Sequence, residues 1–153
     1  MPFRFSLQAV LHFRQSLEHQ QELRLRAANQ QVARVRRVLD QHNARVQELH
    51  AGQARELAEG TTAAELRFSA LCRSALEQQR QELERELQRL QKMRDEQQKL
   101  FVEARRQSET LAGLRDHQRR EYERKASRRE QRRLDDAFLL RRSYLAERSP
   151  RGG

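Results

Sequence analysis

Proline and glycine are almost missing from this chain of 153 residues. The only prolines are Pro2 and Pro150, and the 147 residues between them contain three glycines, Gly52, Gly60 and Gly113. Because these two residue types interrupt helices most strongly, their scarcity favours long helices. It also argues against a β-rich fold, which needs many turns.

Apolar and aromatic residues are scarce as well. Hydrophobic residues make up 36% of the chain, aromatic residues 5%, and tryptophan is absent. A compact domain usually contains about 45–50% apolar residues, so this chain lacks the material for a thick globular core. Charged residues account for 35%, with a formal net charge of +10. Both signs are present with few helix breakers, which favours charged helices over a disordered tail.

Long hydrophobic runs and cysteine pairs are also missing. No stretch approaches the roughly 20 apolar residues that a membrane span needs. The residues up to Arg14 alternate basic and apolar side chains, which predicts no signal peptide. The single cysteine, Cys72, has no partner for an intrachain disulfide. These features together predict a reducing, cytoplasmic setting.

Motifs that carry catalysis are not found in the sequence. No two of the five histidines are four residues apart, the spacing of a helical metal site. The sequence also lacks a glycine-rich phosphate loop and a nucleophile-elbow motif. We therefore expect no enzyme activity, no metal and no cofactor.

Apolar residues in the first half recur at alternating spacings of three and four. This heptad pattern is typical of a helix that packs against another helix along a seam. The predicted seam contains Leu25, Ala28, Val32, Val35, Leu39, His42, Val46 and Leu49. Upstream, the stripe continues through Leu7, Val10, Arg14 and Leu17, with a phase slip of about one residue near Gln21.

A turn is predicted where the heptads break, at Gly60. Glycine can take the left-handed conformation that ends a helix, and Thr62 with Glu65 has the spacing of a capping box that starts the next one. A second heptad run follows, and residues that would face each other across one turn have numbers that sum to 122. Such pairs are Val46 with Leu76, Leu39 with Leu83, Val35 with Leu87, and Val32 with Leu90.

These observations predict an all-α fold, a long antiparallel two-helix coiled-coil hairpin over residues 1–148. The first helix should cover about residues 5–59, the turn about 60–62, and the second helix about 63–147. Residues 149–153 should form a disordered tail. Because the second helix is longer, it should leave a C-terminal basic helical overhang of roughly 30 residues.

The predicted overhang is the most site-like feature. Residues 118–153 contain twelve basic and six acidic side chains, which would attract an acidic protein surface or nucleic acid. The nucleic-acid alternative is weaker, because the basic region follows the heptads instead of preceding them. The aromatic side chains Tyr122, Phe138 and Tyr144 also lie too far apart to stack successive bases. A solvated helix face and an intermolecular dimer are further alternatives.

The start of the chain resembles the FliJ family, the small coiled-coil stalk of the bacterial flagellar type III export apparatus. The matching residues are Phe3, Phe5, Leu7, Val10, Leu11 and Arg14. Near the other end, residues 130–136 resemble the family's Glu-x-x-x-Leu-Asp-Glu segment, with Asp136 in place of the last Glu.

The resemblance implies a non-enzymatic, monomeric component of the export apparatus in the cytoplasm, peripherally associated with the inner-membrane flagellar basal body. Its expected partners are the pore of a hexameric export ATPase, the membrane export gate and export chaperones, without nucleic acid. The alternative is an adaptor coiled coil of an injectisome or a rotary-ATPase stalk. The ATPase-binding residues implied are Phe3, Phe5, Leu7, Val10, Leu11, Arg14, Arg128, Arg129, Glu130, Arg132, Arg133, Leu134, Asp135 and Asp136. The implied gate-binding residues are Phe68, Leu71 and Cys72, although the family tends to have Leu where this chain has Cys72.

Overall fold

A computed structural model of the protein describes residues 1–149. It contains two α-helices, α1 (Gln8–Glu59) and α2 (Ala63–Arg148), and no strand within those residues. The helices pack against each other as a hairpin, which confirms the predicted fold class. The chain divides into two compact units. The terminal unit consists of Met1–Arg14 and the described part of Arg106–Gly153, and the turn unit consists of Gln15–Arg105.

The sequence signals at the turn are found in the structure. Gly60 has a φ of 101°, in the left-handed region that a side chain would disfavour. The amide of Thr62 donates to Oε2 of Glu65 over 3.2 Å, and the amide of Glu65 donates to Oγ1 of Thr62 over 3.3 Å. This reciprocal capping box satisfies amides at the start of α2 that have no partner within the helix.

The start of α1 differs from the prediction. The helix begins at Gln8, about three residues later than expected, after a turn in which the Gln8 amide donates to the carbonyl of Phe5 over 3.2 Å. Phe5 is buried in the terminal unit, with 8% of its surface exposed. At the other end Ser149 forms a bend, and residues 150–153 of the predicted tail lie outside the described part of the chain.

In the turn unit, the predicted seam of α1 is confirmed from Leu25 to Val46. Its members are buried or half-buried, and Val32 on α1 and Leu90 on α2 are the most buried aliphatic side chains of this unit. Leu49 is the exception, because 49% of its surface is exposed. The half-buried or buried positions of α2 in this unit include Leu76, Arg80, Leu83, Leu87, Leu90, Arg94, Gln97 and Phe101.

The phase slip predicted near Gln21 is wrong. The half-buried positions of α1 include an unbroken three-and-four pattern towards its start, through Gln21, Glu18 and Arg14. Of the predicted stripe, Arg14 and Leu17 are half-buried. Leu7 and Val10, which suggested a slip, are exposed. The prediction failed because polar side chains occupy this part of the seam while apolar ones lie beside it. A hydrophobic pattern alone then indicates the wrong face.

Polar side chains on the seam form hydrogen bonds between the helices. In the turn unit, the Gln97 amide donates to the side-chain oxygen of Gln21, and Nε2 of His42 lies 2.9 Å from the carbonyl oxygen of Leu76. Such a bond offsets much of the cost of placing a polar group at a helix interface. Arg80 lies one turn after Leu76 on α2 and forms ion pairs with Glu77 and Glu84 along its own helix.

In the terminal unit, the most buried side chain is Leu11, which has no exposed surface. Residues before α1 lie against α2, where the rings of Phe3 and Tyr122 are 5.7 Å apart at an interplanar angle of 48°. The Tyr122 hydroxyl also donates to the carbonyl of Met1. Tyr122 is the last half-buried residue of α2, and every residue from 123 to 149 is exposed. Residues 123–149 are the overhang that the sequence predicted.

Candidate functional site

The predicted ATPase-binding residues on α2 all lie in the overhang and face solvent. The side chains at positions 128–136 are exposed, and none forms an ion pair or hydrogen bond with another residue of the described chain. Just before them, Arg119 is held by Glu123, with a distance of 3.0 Å between Nε and Oε1. Charged groups without an intramolecular partner are available to a binding partner, and they pay no cost of breaking an existing pair.

Charge and hydrophobicity are separated along this part of α2. Residues 119–133 contain eight basic and three acidic side chains, whereas residues 134–148 contain three of each. The second stretch carries the large apolar side chains, which are between 57% and 70% exposed. These are Leu134, Phe138, Leu139, Leu140, Tyr144 and Leu145. The arrangement presents a basic segment followed by an apolar one, a combination suited to a protein surface rather than to a nucleic-acid backbone.

The candidate residues near the N-terminus fall into two groups. Phe3, Phe5, Leu11 and Arg14 contribute to the packing of the terminal unit. Phe5 and Leu11 are buried, and Nη1 of Arg14 donates to Oε1 of Gln107 over 2.5 Å. Phe3 and Arg14 are only half-buried. All four side chains therefore help to stabilise the terminal unit, and their contact with a partner stays a prediction.

Leu7 and Val10 form the second group, with 38% and 42% of their surfaces exposed. The structure adds Phe13, which is 59% exposed and was not among the residues predicted from the sequence. Phe13 lies three residues after Val10, so the two side chains are neighbours on one face of α1. The spacing of Leu7, Val10 and Phe13 could have identified this face, had it not been assigned to the seam.

The residues assigned to gate binding lie at the hairpin tip, in the turn unit. There an open groove of about 760 Å³ separates the end of α1 from the start of α2. Phe68 and Cys72 line this groove, and Phe68 is 69% exposed. Leu71 is equally exposed but is not among the lining residues. The structure thus brings two of the three predicted residues to one concave surface.

Ion pairs along α2 of the turn unit affect two carboxyl groups. A hydrogen bond from Arg80 lowers the pKa of Glu77, and one from Arg89 lowers the pKa of Glu86. Both pairs are three residues apart on the same helix and exposed to solvent, so they support helix formation locally and only weakly.

Neither a metal-ligand cluster nor a membrane-spanning stretch was found among residues 1–149. The described side chains include no group of three or more potential metal ligands. Neither α1 nor α2 has a stretch long and apolar enough to cross a membrane.

Comparison with protein families gave one result that covers nearly the whole chain. The family model described as "Flagellar FliJ protein" matches residues 3–148. Comparisons with curated proteins and with solved structures returned no match.

Proposed function

The chain belongs to the FliJ family, and from this premise we propose that it acts without chemistry of its own, by binding the hexameric flagellar export ATPase. Membership makes it a component of the flagellar export apparatus. The overhang is the observation that supports a specific role in ATPase binding. It combines unpaired basic side chains with exposed apolar ones and is not covered by the rest of the terminal unit.

In this proposal the ATPase binds four arginines of the overhang, which are Arg128, Arg129, Arg132 and Arg133. It also contacts the exposed apolar side chains of Leu7, Val10 and Phe13. Basic side chains steer an acidic surface into contact and increase the association rate, whereas apolar side chains hold the complex once it has formed. Binding of this chain would promote assembly of the hexameric ATPase and its turnover of ATP.

In the proposal, the hairpin tip binds a second partner, the membrane export gate. Phe68, Leu71 and Cys72 face the membrane export gate, so that one molecule links the gate to the ATPase. Exposed apolar side chains at the tip support this assignment, since contiguous apolar surface often marks a protein interaction site. Export chaperones complete the set of partners. The chain would work as a monomer, associated peripherally with the inner-membrane basal body.

The test is ATP turnover by the cognate export ATPase, with and without this chain, at low and high salt. We expect stimulation at substoichiometric amounts of the chain, weakened by salt because the steering charges are screened. Replacing Arg128, Arg129, Arg132 and Arg133 with Glu should abolish it while leaving helicity nearly unchanged, since these side chains have no partner within the described chain.

The matched control reverses four exposed arginines of α1 in the turn unit, Arg24, Arg34, Arg36 and Arg37. It changes the net charge by the same amount and should retain stimulation. Equal loss in both variants would show a general charge effect and contradict the assigned site. Absence of stimulation by a folded wild-type chain would instead favour a role as an adaptor or chaperone escort.

A further inference from the structure

The tip groove has a charge opposite to that of the whole chain. Its lining includes four glutamates, Glu48, Glu56, Glu59 and Glu65, and one arginine, Arg73, whereas the chain carries a net charge of +10. Glu48, Glu56 and Glu59 form no ion pair or hydrogen bond through their side chains with the rest of the described chain. A concave surface lined by one sign of charge concentrates the electrostatic field and attracts the opposite charge.

The spacing of residues explains why the glutamates converge. Glu48, Gly52, Glu56 and Glu59 follow one another at four, four and three positions along α1, so they share one face of the helix. Gly52 has no side chain, and a Cβ built there would meet nothing within 4 Å. The groove is therefore open in the middle of an acidic face, between two glutamates.

Apolar side chains of both helices also line the groove. Leu49 and Phe68 line it with 49% and 69% of their surfaces exposed, and Cys72 and Leu76 line it as less exposed side chains. A volume of about 760 Å³ falls within the range of about 300–1,000 Å³ that is typical of ligand pockets. It can accept several side chains from a short segment of a partner.

We propose that the tip groove binds a basic, apolar helical segment of a partner protein, with its apolar side chains on Phe68 and Leu49 and its cations beside Glu48, Glu56 and Glu59. This inference rests on the proposal that the tip is the gate-facing end, and it adds the chemistry of the segment that docks there. The same glutamates repel anionic lipid headgroups and nucleic acid, which disfavours both as occupants.

Two synthetic helical peptides with the same Leu and Phe face provide the probe, one flanked by Lys and Arg and the other by Glu. Binding of each labelled peptide to the full chain is followed by fluorescence anisotropy at low and high salt. We expect the basic peptide to bind at least about tenfold more tightly, with the difference shrinking as salt rises. Equal affinities, tighter binding of the acidic peptide, or binding of neither would overturn the proposal.

Substitutions then locate the binding surface. The double variant Glu56→Gln/Glu59→Gln should weaken binding of the basic peptide about fivefold by removing two attractive charges. Its matched control is Asp40→Asn/Glu96→Gln, which removes two exposed carboxylates of the same unit outside the groove. If both variants weaken binding equally, the groove is not the site.

A third variant, Gly52→Trp, tests the cavity itself. Since Gly52 has open space around it, the indole should fill the groove, block the peptide and leave helicity intact. Unchanged binding in a folded Gly52→Trp chain contradicts the proposal. If sedimentation shows the chain pairing with itself and Gly52→Trp abolishes that pairing, the occupant is a second copy and the proposed partner is wrong.

Failure of this inference is distinguishable from failure of the proposed function. Stimulation of the ATPase is assigned to the other unit, so Glu56→Gln/Glu59→Gln should stimulate ATP turnover like the wild-type chain. Peptide binding without any stimulation by the wild type would refute the ATPase role and leave the groove assignment standing. Stimulation of the ATPase without peptide binding would refute the groove assignment and leave the ATPase role standing.

Discussion

Helix α2 has two stretches with different surroundings. Up to Tyr122, half-buried or buried positions recur every three or four residues, while from residue 123 onwards all side chains are exposed. The helix nevertheless continues to Arg148. Residues 123–148 contain no proline or glycine and many Arg, Glu, Leu and Ala residues, which have high helix propensity.

The difference teaches that helix formation and tertiary packing can be separated within one element. In most proteins an amphipathic helix is stabilised chiefly by the face it buries. In the overhang, helix propensity and continuity with the packed stretch must suffice. Side chains that do not contribute to folding are free to be selected for binding, which is why we place the ATPase contact there.

The largest difference in stability should appear between truncations in the packed part of the terminal unit, which includes Leu11 on α1, and truncations in the overhang of α2. Leu11 has no exposed surface, so Leu11→Ala should lower the free energy of unfolding by about 2–4 kcal/mol, through lost burial and a cavity. Thermal unfolding followed by circular dichroism measures this effect.

The matched control is Leu134→Ala in the overhang, where Leu134 is 62% exposed. It should change stability by less than about 0.5 kcal/mol. A substantial destabilisation by Leu134→Ala would mean that the overhang packs in solution, and the distinction between the two stretches would fail.

A smaller effect should follow from removing a hydrogen bond on the seam. Gln97→Ala leaves the half-buried Gln21 without its cross-helix partner, which should cost about 1 kcal/mol. Unfolding by urea measures this cost. Gln98→Ala changes the next residue, which is exposed, and should leave stability nearly unchanged in the same titration. If the two variants unfold at the same urea concentration, the glutamine pair contributes nothing to stability.

The smallest effect concerns pH. The pKa of Glu77 is lowered below its ordinary value of 4.5 by the hydrogen bond from Arg80. Its stabilising contribution is therefore present above that value and is lost as the pH falls through the lowered pKa. The melting temperatures of the wild type and Glu77→Gln should differ near neutral pH and converge in acid.

Glu130→Gln provides the comparison in the overhang, because Glu130 has no partner in the described chain. Its melting temperature should follow that of the wild type at every pH. A gap between the wild type and Glu77→Gln that persists at low pH would show that the Glu77–Arg80 pair is not the cause.

Much of this fold could be predicted from the sequence because its signals are local and periodic. The capping box at Thr62, the left-handed Gly60 and the seam from Leu25 to Val46 depend on residue spacing alone, and the structure confirms all three. The exposure of residues 123–149 followed from the unequal lengths of the two helices.

The errors arose where long-range contacts decide the outcome. Glu18 and Gln21 are half-buried on the packed face, and Gln21 accepts a hydrogen bond from Gln97, a placement of polar residues that no hydrophobic pattern indicates. Phe13 was missed for the same reason, since its face was assigned to the seam. The concavity at the tip depends on how far the helices separate there, which heptad spacing does not specify.

The hairpin also determines the order in which contacts can form during folding. In the turn unit, the His42–Leu76 contact joins residues 34 positions apart, and the Gln21–Gln97 bond joins residues 76 positions apart. Each doubling of a loop costs about 0.6 kcal/mol of closure entropy, so contacts nearer the turn have the kinetic advantage. We expect the two helices of the hairpin to pair from Gly60 outwards, with substitutions at His42 slowing folding and substitutions at Gln97 mainly accelerating unfolding.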